Sequence, residues 1–150
     1  MVVVGSPRRG PVADAISEYE ERARRYWPLL VEEVREESAR SRTPLQVTTA
    51  EGERVLARVP VGSLVITCEV TGQSWSSEHM ADSLRDARDS GRDVCFVIGG
   101  AYGLSSAVSQ RANVRLSLSA FTLPHEMARL VLTEQIYRAG TMLRGEPYHK

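Results

Sequence analysis

Lysine is almost absent from this chain: Lys150 is the only one, and arginine supplies the rest of the 19 basic residues. No sign of charge prevails either, because 19 acidic residues balance the basic ones and the sequence pI is about 6.8. That balance excludes a protein that coats nucleic acid through its overall charge, so any contact with RNA or DNA must come from a local patch. Arginine forks suit phosphate, although biased codon usage accounts for the arginine excess as well.

Cysteine is scarce. Cys68 and Cys95 each lie inside an apolar run, which reads as two buried thiols in a reducing cytoplasm and not as a disulfide framework or a metal site. The three histidines, His79, His125 and His149, have no partner at ligand spacing, and His125-Glu126 lacks the second His of a zinc-protease helix, so no metal is expected. Long hydrophobic runs are missing too. Val2-Val3-Val4 is typical, far short of the ~18 residues that span a bilayer, and Arg8 and Arg9 precede no apolar core of a signal peptide. The expectation is a soluble, untargeted, cytoplasmic protein with no membrane partner.

The usual catalytic signatures are also lacking. The chain holds no G-x-S-x-G elbow, no dinucleotide G-x-G-x-x-G and no phosphate loop ending in Lys-Ser/Thr, and neither cysteine has a histidine near it in sequence. Covalent catalysis therefore has no support, and direct transfer between bound substrates is what remains.

What is present suffices for one core. At 150 residues and 42% hydrophobic composition, such a chain buries roughly 68% of its unfolded surface. It shows no linker, repeat or composition shift, so residues 1–150 are read as a single domain. Val2-Val3-Val4 closed by Gly5, Ser6 and Pro7 reads as a buried strand and a loop. Val12, Ile16, Tyr19, Ala23 and Tyr26 recur at helical steps over 11–27, with Pro28 stopping the pattern. A strand is expected over 29–34 and an exposed, mobile loop over 36–44, whose Arg40 and Arg42 are as well explained by solvation as by phosphate.

Thr48 with Glu51 has capping-box spacing ahead of a helix carrying Val55, Leu56 and Val59. Residues 64–68 form a central strand, Ser76 or Ser77 starts a helix with Met80, Leu84 and Ala87 on one face, and Gly91 ends it. Residues 93–98 read as a strand, apolar throughout from Val94 to Ile98, as a strand buried on both faces would be. A short helix over 105–112, a strand over 114–118 and a long helix over 124–143 complete the order. Strands alternating with helices imply an α/β fold, a parallel sheet with helices on both faces. Ligands in such sheets bind beyond the strand carboxyl ends, here residues 68–72, 99–103 and 118–123.

Three features near those ends stand out. Gly99-Gly100-Ala101-Tyr102-Gly103 follows a buried strand, where glycine allows either close approach to a ligand or simply a tight turn. The last helix carries one apolar stripe of Ala128, Val131, Leu132, Ile136 and Ala139 and another of Leu123, Met127, Leu130 and Tyr137. It is either sandwiched in one core or met by a second subunit. The tail Arg144-Gly145-Glu146-Pro147-Tyr148-His149-Lys150 ends on an aromatic, an imidazole and a cation, which suit a base and its phosphate, although termini commonly fray.

Taken together, four ordered blocks carry a resemblance. Phe96-Val97-Ile98-Gly99-Gly100 with Gly103-Leu104-Ser105, Leu116-Ser117-Leu118-Ser119 running into Thr122-Leu123-Pro124-His125, Glu134-Gln135-Ile136-Tyr137-Arg138-Ala139, and the tail resemble the bacterial ribosomal RNA large-subunit pseudouridine N3-methyltransferases of the SPOUT superfamily. The resemblance is strong over 64–150 and colinear before that. It implies a C-terminal trefoil knot, a homodimer through the C-terminal helix, S-adenosylmethionine as methyl donor, and a pseudouridine of 23S ribosomal RNA in the assembled ribosome as acceptor. It also implies donor contacts at Cys68, Gly100, Ser119, Ala120, Phe121, Thr122, Leu123 and Pro124. Cys68 departs from a common Leu, and Gly140 from an aromatic that often follows Tyr-Arg-Ala.

The chemistry that follows from the resemblance is displacement of the methyl group by N3. His149 or Tyr148, reaching into the partner's site, would position the base or take its proton, Arg138 would stabilise the anion, and His125 is a second candidate base. Two other classes fit the pattern: a non-catalytic RNA-binding or ribosome-assembly module, and a nucleotide-binding α/β enzyme.

Overall fold

The computed structural model describes residues 1–149, with His149 as backbone only. Along the chain run β1 (Val2–Val4), α1 (Pro11–Arg24), β2 (Glu32–Val34), α2 (Pro44–Leu56), β3 (Leu64–Ser74), α3 (Ser77–Asp89), β4 (Val94–Ile98), α4 (Ser106–Arg111), β5 (Val114–Ser117) and α5 (His125–Leu143), then a 3-10 turn, Pro147–His149. The five strands pair in the order β2-β1-β4-β3-β5, every pair parallel. All carboxyl ends therefore lie along one edge.

Apolar strands need cover on both faces, and β4 shows how it is supplied. Phe96 and Ile98 join Val3, Ile66 and Leu116 against Ala23 of α1, Leu84 of α3 and Leu132 and Ile136 of α5. Cys95 and Val97 join Val2, Val4 and Val65 against Val55 of α2 and Val108 of α4.

Several local expectations are corrected. The capping box is Thr43 with Gln46: the Gln46 amide donates to Thr43 Oγ1 (3.3 Å) and the Thr43 amide to Gln46 Oε1 (2.9 Å). Pro44 follows with its φ already set for a helix, so α2 starts before Thr48 and Glu51, which are buried inside it. The loop before it is tied down, since Glu37 pairs with both Arg42 (3.6 Å) and Arg54. β2 is three residues long, and α1 ends at Arg24.

β3 is longer than its apolar run. Cys68 and Gln73 both register against Leu116, so residues 69–72 bulge out of the ladder. Gly72 makes that possible, because a Cβ there would lie 2.7 Å from the Arg115 and Leu116 backbone.

The C-terminal helix is covered on more than one side within the chain. Leu132 and Ile136 face the sheet, while Tyr137 meets the rings of Tyr19, Tyr26 and Tyr148 at 6.0, 5.7 and 4.6 Å. Gly140, unfavourable in a helix by about 1 kcal/mol, is required here: a Cβ would stand 2.4 Å from Tyr26 Cγ. An aromatic from the turn that follows α1 thus fills the space next to the helix where the resemblance expects one from α5. Trp27 adds a hydrogen bond from Nε1 to the Ile136 carbonyl at 2.9 Å.

One charge sits inside this interface. Arg129 of α5, 5% exposed, donates Nε and Nη2 to Glu20 Oε1 (2.9 and 2.8 Å) and Nη1 to Glu33 Oε1 (2.6 Å). Burial pushes the Glu33 carboxyl up, but the Ser6 hydroxyl and the Arg129 guanidinium outweigh it and hold it below its ordinary value. Removing one partner of such a pair leaves an uncompensated buried charge, which costs more than the intact pair gains. We expect Arg129→Met to lower the unfolding free energy by about 3 kcal/mol in urea titrations, and a loss below about 0.5 kcal/mol would show the pair to be dispensable.

Candidate active site

The carboxyl edge of the sheet carries a cleft between β3 and β5. Cys68, Glu69 and Val70 form its wall on the β3 side, Leu118, Ser119, Phe121 and Leu123 on the β5 side, and Ala128 of α5 its back. Of the expected donor residues, Cys68, Ser119, Phe121 and Leu123 therefore come together. Ala120, Thr122 and Pro124 are exposed in the same loop.

That loop has a defined shape. The Ser117 hydroxyl donates to the Ser119 carbonyl (3.0 Å), and the Phe121 amide donates to Ser119 Oγ (2.9 Å), a local hydroxyl turn of the kind serine favours. Pro124 caps α5 by accepting the Ala128 amide at 2.9 Å. Phe121 is 82% exposed, an unusual position for so large an apolar ring. Cys68 is no nucleophile: burial first, then Glu69 beside it, pushes the thiol up to about 12, so it stays protonated.

Gly100 occupies the end of β4 but faces inward. A Cβ on it would lie 2.9 Å from Glu51 Oε2 and 3.0 Å from Val4 Cγ1, so packing beneath the loop already demands glycine. Glu51 is buried, its Oε1 accepts the Glu37 amide (2.9 Å), and burial raises its carboxyl.

A wider, open hollow lies at the ends of β1 and β2, lined by Gly5, Ser6, Glu33 and Glu36 among others. Its carboxylates are engaged, Glu33 with Ser6 and Arg129 and Glu36 with His125 Nε2 at 3.5 Å. His125 thus stands at this hollow and not in the β3–β5 cleft.

The remaining candidates gather at the other end of α5. Tyr148 donates to Glu134 Oε1 (3.0 Å) and stands 3.2 Å from the Tyr19 hydroxyl. Arg138 donates Nε and Nη2 to the same Glu134 oxygen (3.0 and 2.6 Å) and lies 4.9 Å from the Tyr148 ring centre. The tail is therefore docked through Tyr148. Burial, with the bonds to Tyr19 and Glu134, drives the Tyr148 phenol well above its ordinary value, so it is a proton donor and not a base near neutrality. The side chain of His149, and all of Lys150, lie outside the described residues.

Arg138 is ten residues along α5 from Ala128 at the cleft, roughly 15 Å at 1.5 Å per residue. Among the described residues, then, the chain does not bring its tail cluster to its own cleft. Sequence reasoning missed Glu69 and Glu134, although Glu69 directly follows Cys68. Among the described residues no group of three His, Cys, Asp or Glu could hold a metal, and no helix is long and apolar enough to cross a membrane.

Comparison with known proteins adds to this geometry. The family model described as a predicted SPOUT methyltransferase matches residues 1–149. A ribosomal RNA large subunit methyltransferase H of Gemmatimonas aurantiaca is 52% identical over 150 residues, covering 100% of this chain and 97% of the relative. One of Syntrophotalea carbinolica is 41% identical, over 99% of this chain and 96% of the relative. In fold, the chain is similar to a Legionella pneumophila protein described as a methyltransferase and solved with bound S-adenosylmethionine, at a TM-score of 0.50 and 13% identity over 93% of this chain and 66% of that one. It is also similar to a methylase family protein of Neisseria gonorrhoeae, at 0.52 and 12% over 91% and 80%. The chain belongs to the SPOUT methyltransferase family.

Proposed function

We propose that this protein transfers a methyl group from S-adenosylmethionine to N3 of a pseudouridine in 23S ribosomal RNA of the assembled ribosome. The observation that carries the reading is the β3–β5 cleft, walled by the 118–124 loop, in a chain 52% identical along its whole length to a large-subunit ribosomal RNA methyltransferase.

The residues of the cleft suit the donor. Val70, Leu118, Phe121 and Leu123 offer apolar walls, and the 119–123 backbone offers amides and carbonyls that can read an adenine edge or a ribose without side chains. When bound, the donor supplies an electrophilic methyl group on a sulfonium. The cleft is small, about 70 Å³, against the ~300 Å³ at which small-molecule pockets begin. The cleft is open along the exposed 118–124 loop, so a donor held there would extend beyond its walls.

The protein's part is alignment, which is worth up to ~7–11 kcal/mol of the barrier, together with management of the N3 proton. Arg138, charged and fixed by Glu134, is suited to stabilise an anionic base. Tyr148 is suited to stack on or donate to the base, and His149 is the candidate to take its proton. Because Arg138 and Tyr148 lie far along α5 from the cleft of their own chain, the reading requires a homodimer through α5, with each tail facing its partner's cleft and the C-terminal segment knotted as the family resemblance implies.

Incubating ribosomes that lack the modification with the protein and S-adenosylmethionine should yield N3-methylpseudouridine in nucleoside mass spectra. A different methylated nucleoside, or none, contradicts the assignment. Deleting residues 148–150 leaves the cleft intact and should reduce methylation at least ~100-fold, with donor affinity unchanged. Full activity in the truncated protein would remove the tail from the chemistry and direct the search for a base to His125.

A further inference from the structure

The cleft described above holds one feature that neither its backbone nor its apolar walls explain. Glu69 stands in the bulge of β3 and lines the cleft, its neighbours there being Cys68, whose thiol is neutral, and Val70. Opposite are Leu118, Ser119 and Leu123. Among the described residues Glu69 is thus the only charged side chain lining it.

The carboxylate is held by one oxygen. Thr67, fully buried on β3, donates its hydroxyl proton to Glu69 Oε1 at 2.6 Å. Among the described residues no arginine or histidine pairs with Glu69, whereas acidic groups elsewhere in the fold are engaged: Glu20 and Glu33 with Arg129, Glu37 with Arg54, Glu134 with Arg138. Thr67 therefore fixes the carboxylate and leaves Oε2 available to a ligand. A half-buried carboxylate among apolar groups lowers its own energy by meeting a cation.

The walls restrict which cation fits. An ammonium brings three N–H donors and needs several acceptors, whereas besides Glu69 the side chains lining the cleft offer only Ser119 Oγ, which already accepts from the Phe121 amide. A sulfonium brings positive charge with carbon substituents and no donors. We propose that Glu69 is the residue that reads the sulfonium charge of the donor, and so distinguishes S-adenosylmethionine from the demethylated, uncharged thioether left after transfer. This rests on the donor reading of the cleft given above. It gives the β3 bulge a role: product loses the attraction that held the donor, and leaves.

Calorimetry with both ligands tests it. Glu69→Gln preserves shape and the Thr67 hydrogen bond but removes the charge. S-adenosylmethionine should bind this variant about 10-fold more weakly and S-adenosylhomocysteine within about 2-fold of the unaltered protein, with Glu69→Asp recovering part of the difference. Equal weakening of the two ligands would assign Glu69 to a shared group such as the ribose diol and overturn the proposal, as would no change in either. A general loss of folding is read separately, from the thermal midpoint of the unliganded variant, and a collapsed midpoint transfers the comparison to Glu69→Asp alone, which must then favour the thioether relative to the unaltered protein. Failure of the unaltered protein to bind S-adenosylmethionine at all would instead overturn the donor reading itself.

Discussion

The buried guanidinium of Arg129 is the constraint on which the arrangement of this protein turns. It joins α5 to Glu20 of α1 and Glu33 of β2, two elements from the opposite end of the chain. Ordinary apolar packing could place a helix against this sheet at several rotations, because α5 is apolar around much of its circumference. A charge that must meet two carboxylates admits far fewer. Once the rotation of α5 is set, Ala128 falls at the back of the β3–β5 cleft, His125 beside Glu36, and Glu134 and Arg138 beneath Tyr148.

The same helix separates two kinds of chemistry. Its first turns adjoin a small cleft with apolar walls and one free carboxylate oxygen, suited to a cationic donor. Its later turns carry a guanidinium and a phenol held through a shared glutamate, suited to an electron-rich heterocycle. Roughly 15 Å of helix lies between them. Under the proposed function, a reaction that needs both in contact is one between subunits, with α5 as the shared element. The closely packed aromatics around Tyr137 and Gly140 make that element rigid enough to hold a geometry.

How much of this could be read from the chain alone depends on the range of the interactions. The parallel sheet was legible because β4 and β5 are short apolar runs between amphipathic helices, and α3 because Ser76, Met80, Leu84 and Gly91 mark its start, face and stop. The start of α2 was misplaced because two Thr-x-x-Gln/Glu pairs compete there, and Pro44 favours Thr43 over Thr48. The β3 bulge was invisible, since it depends on Gly72 meeting the backbone of Arg115 across the ladder. The role of Arg129 was not legible, because its partners lie 109 and 96 residues away. At the site, the loops came from the strand-end rule, and the individual donor contacts are expectations from the family resemblance. Glu69 came only from seeing which side chains share the cleft.

The central claim is that the methyl donor occupies the β3–β5 cleft, and an amide NMR titration with S-adenosylmethionine addresses it most directly, since it reports binding and location together. The account predicts saturable shifts concentrated in residues 67–72 and 118–124, with smaller ones at 99–103. Shifts centred on Gly5, Ser6 and Glu36 at the β1–β2 hollow, or no shifts at millimolar donor, would contradict it.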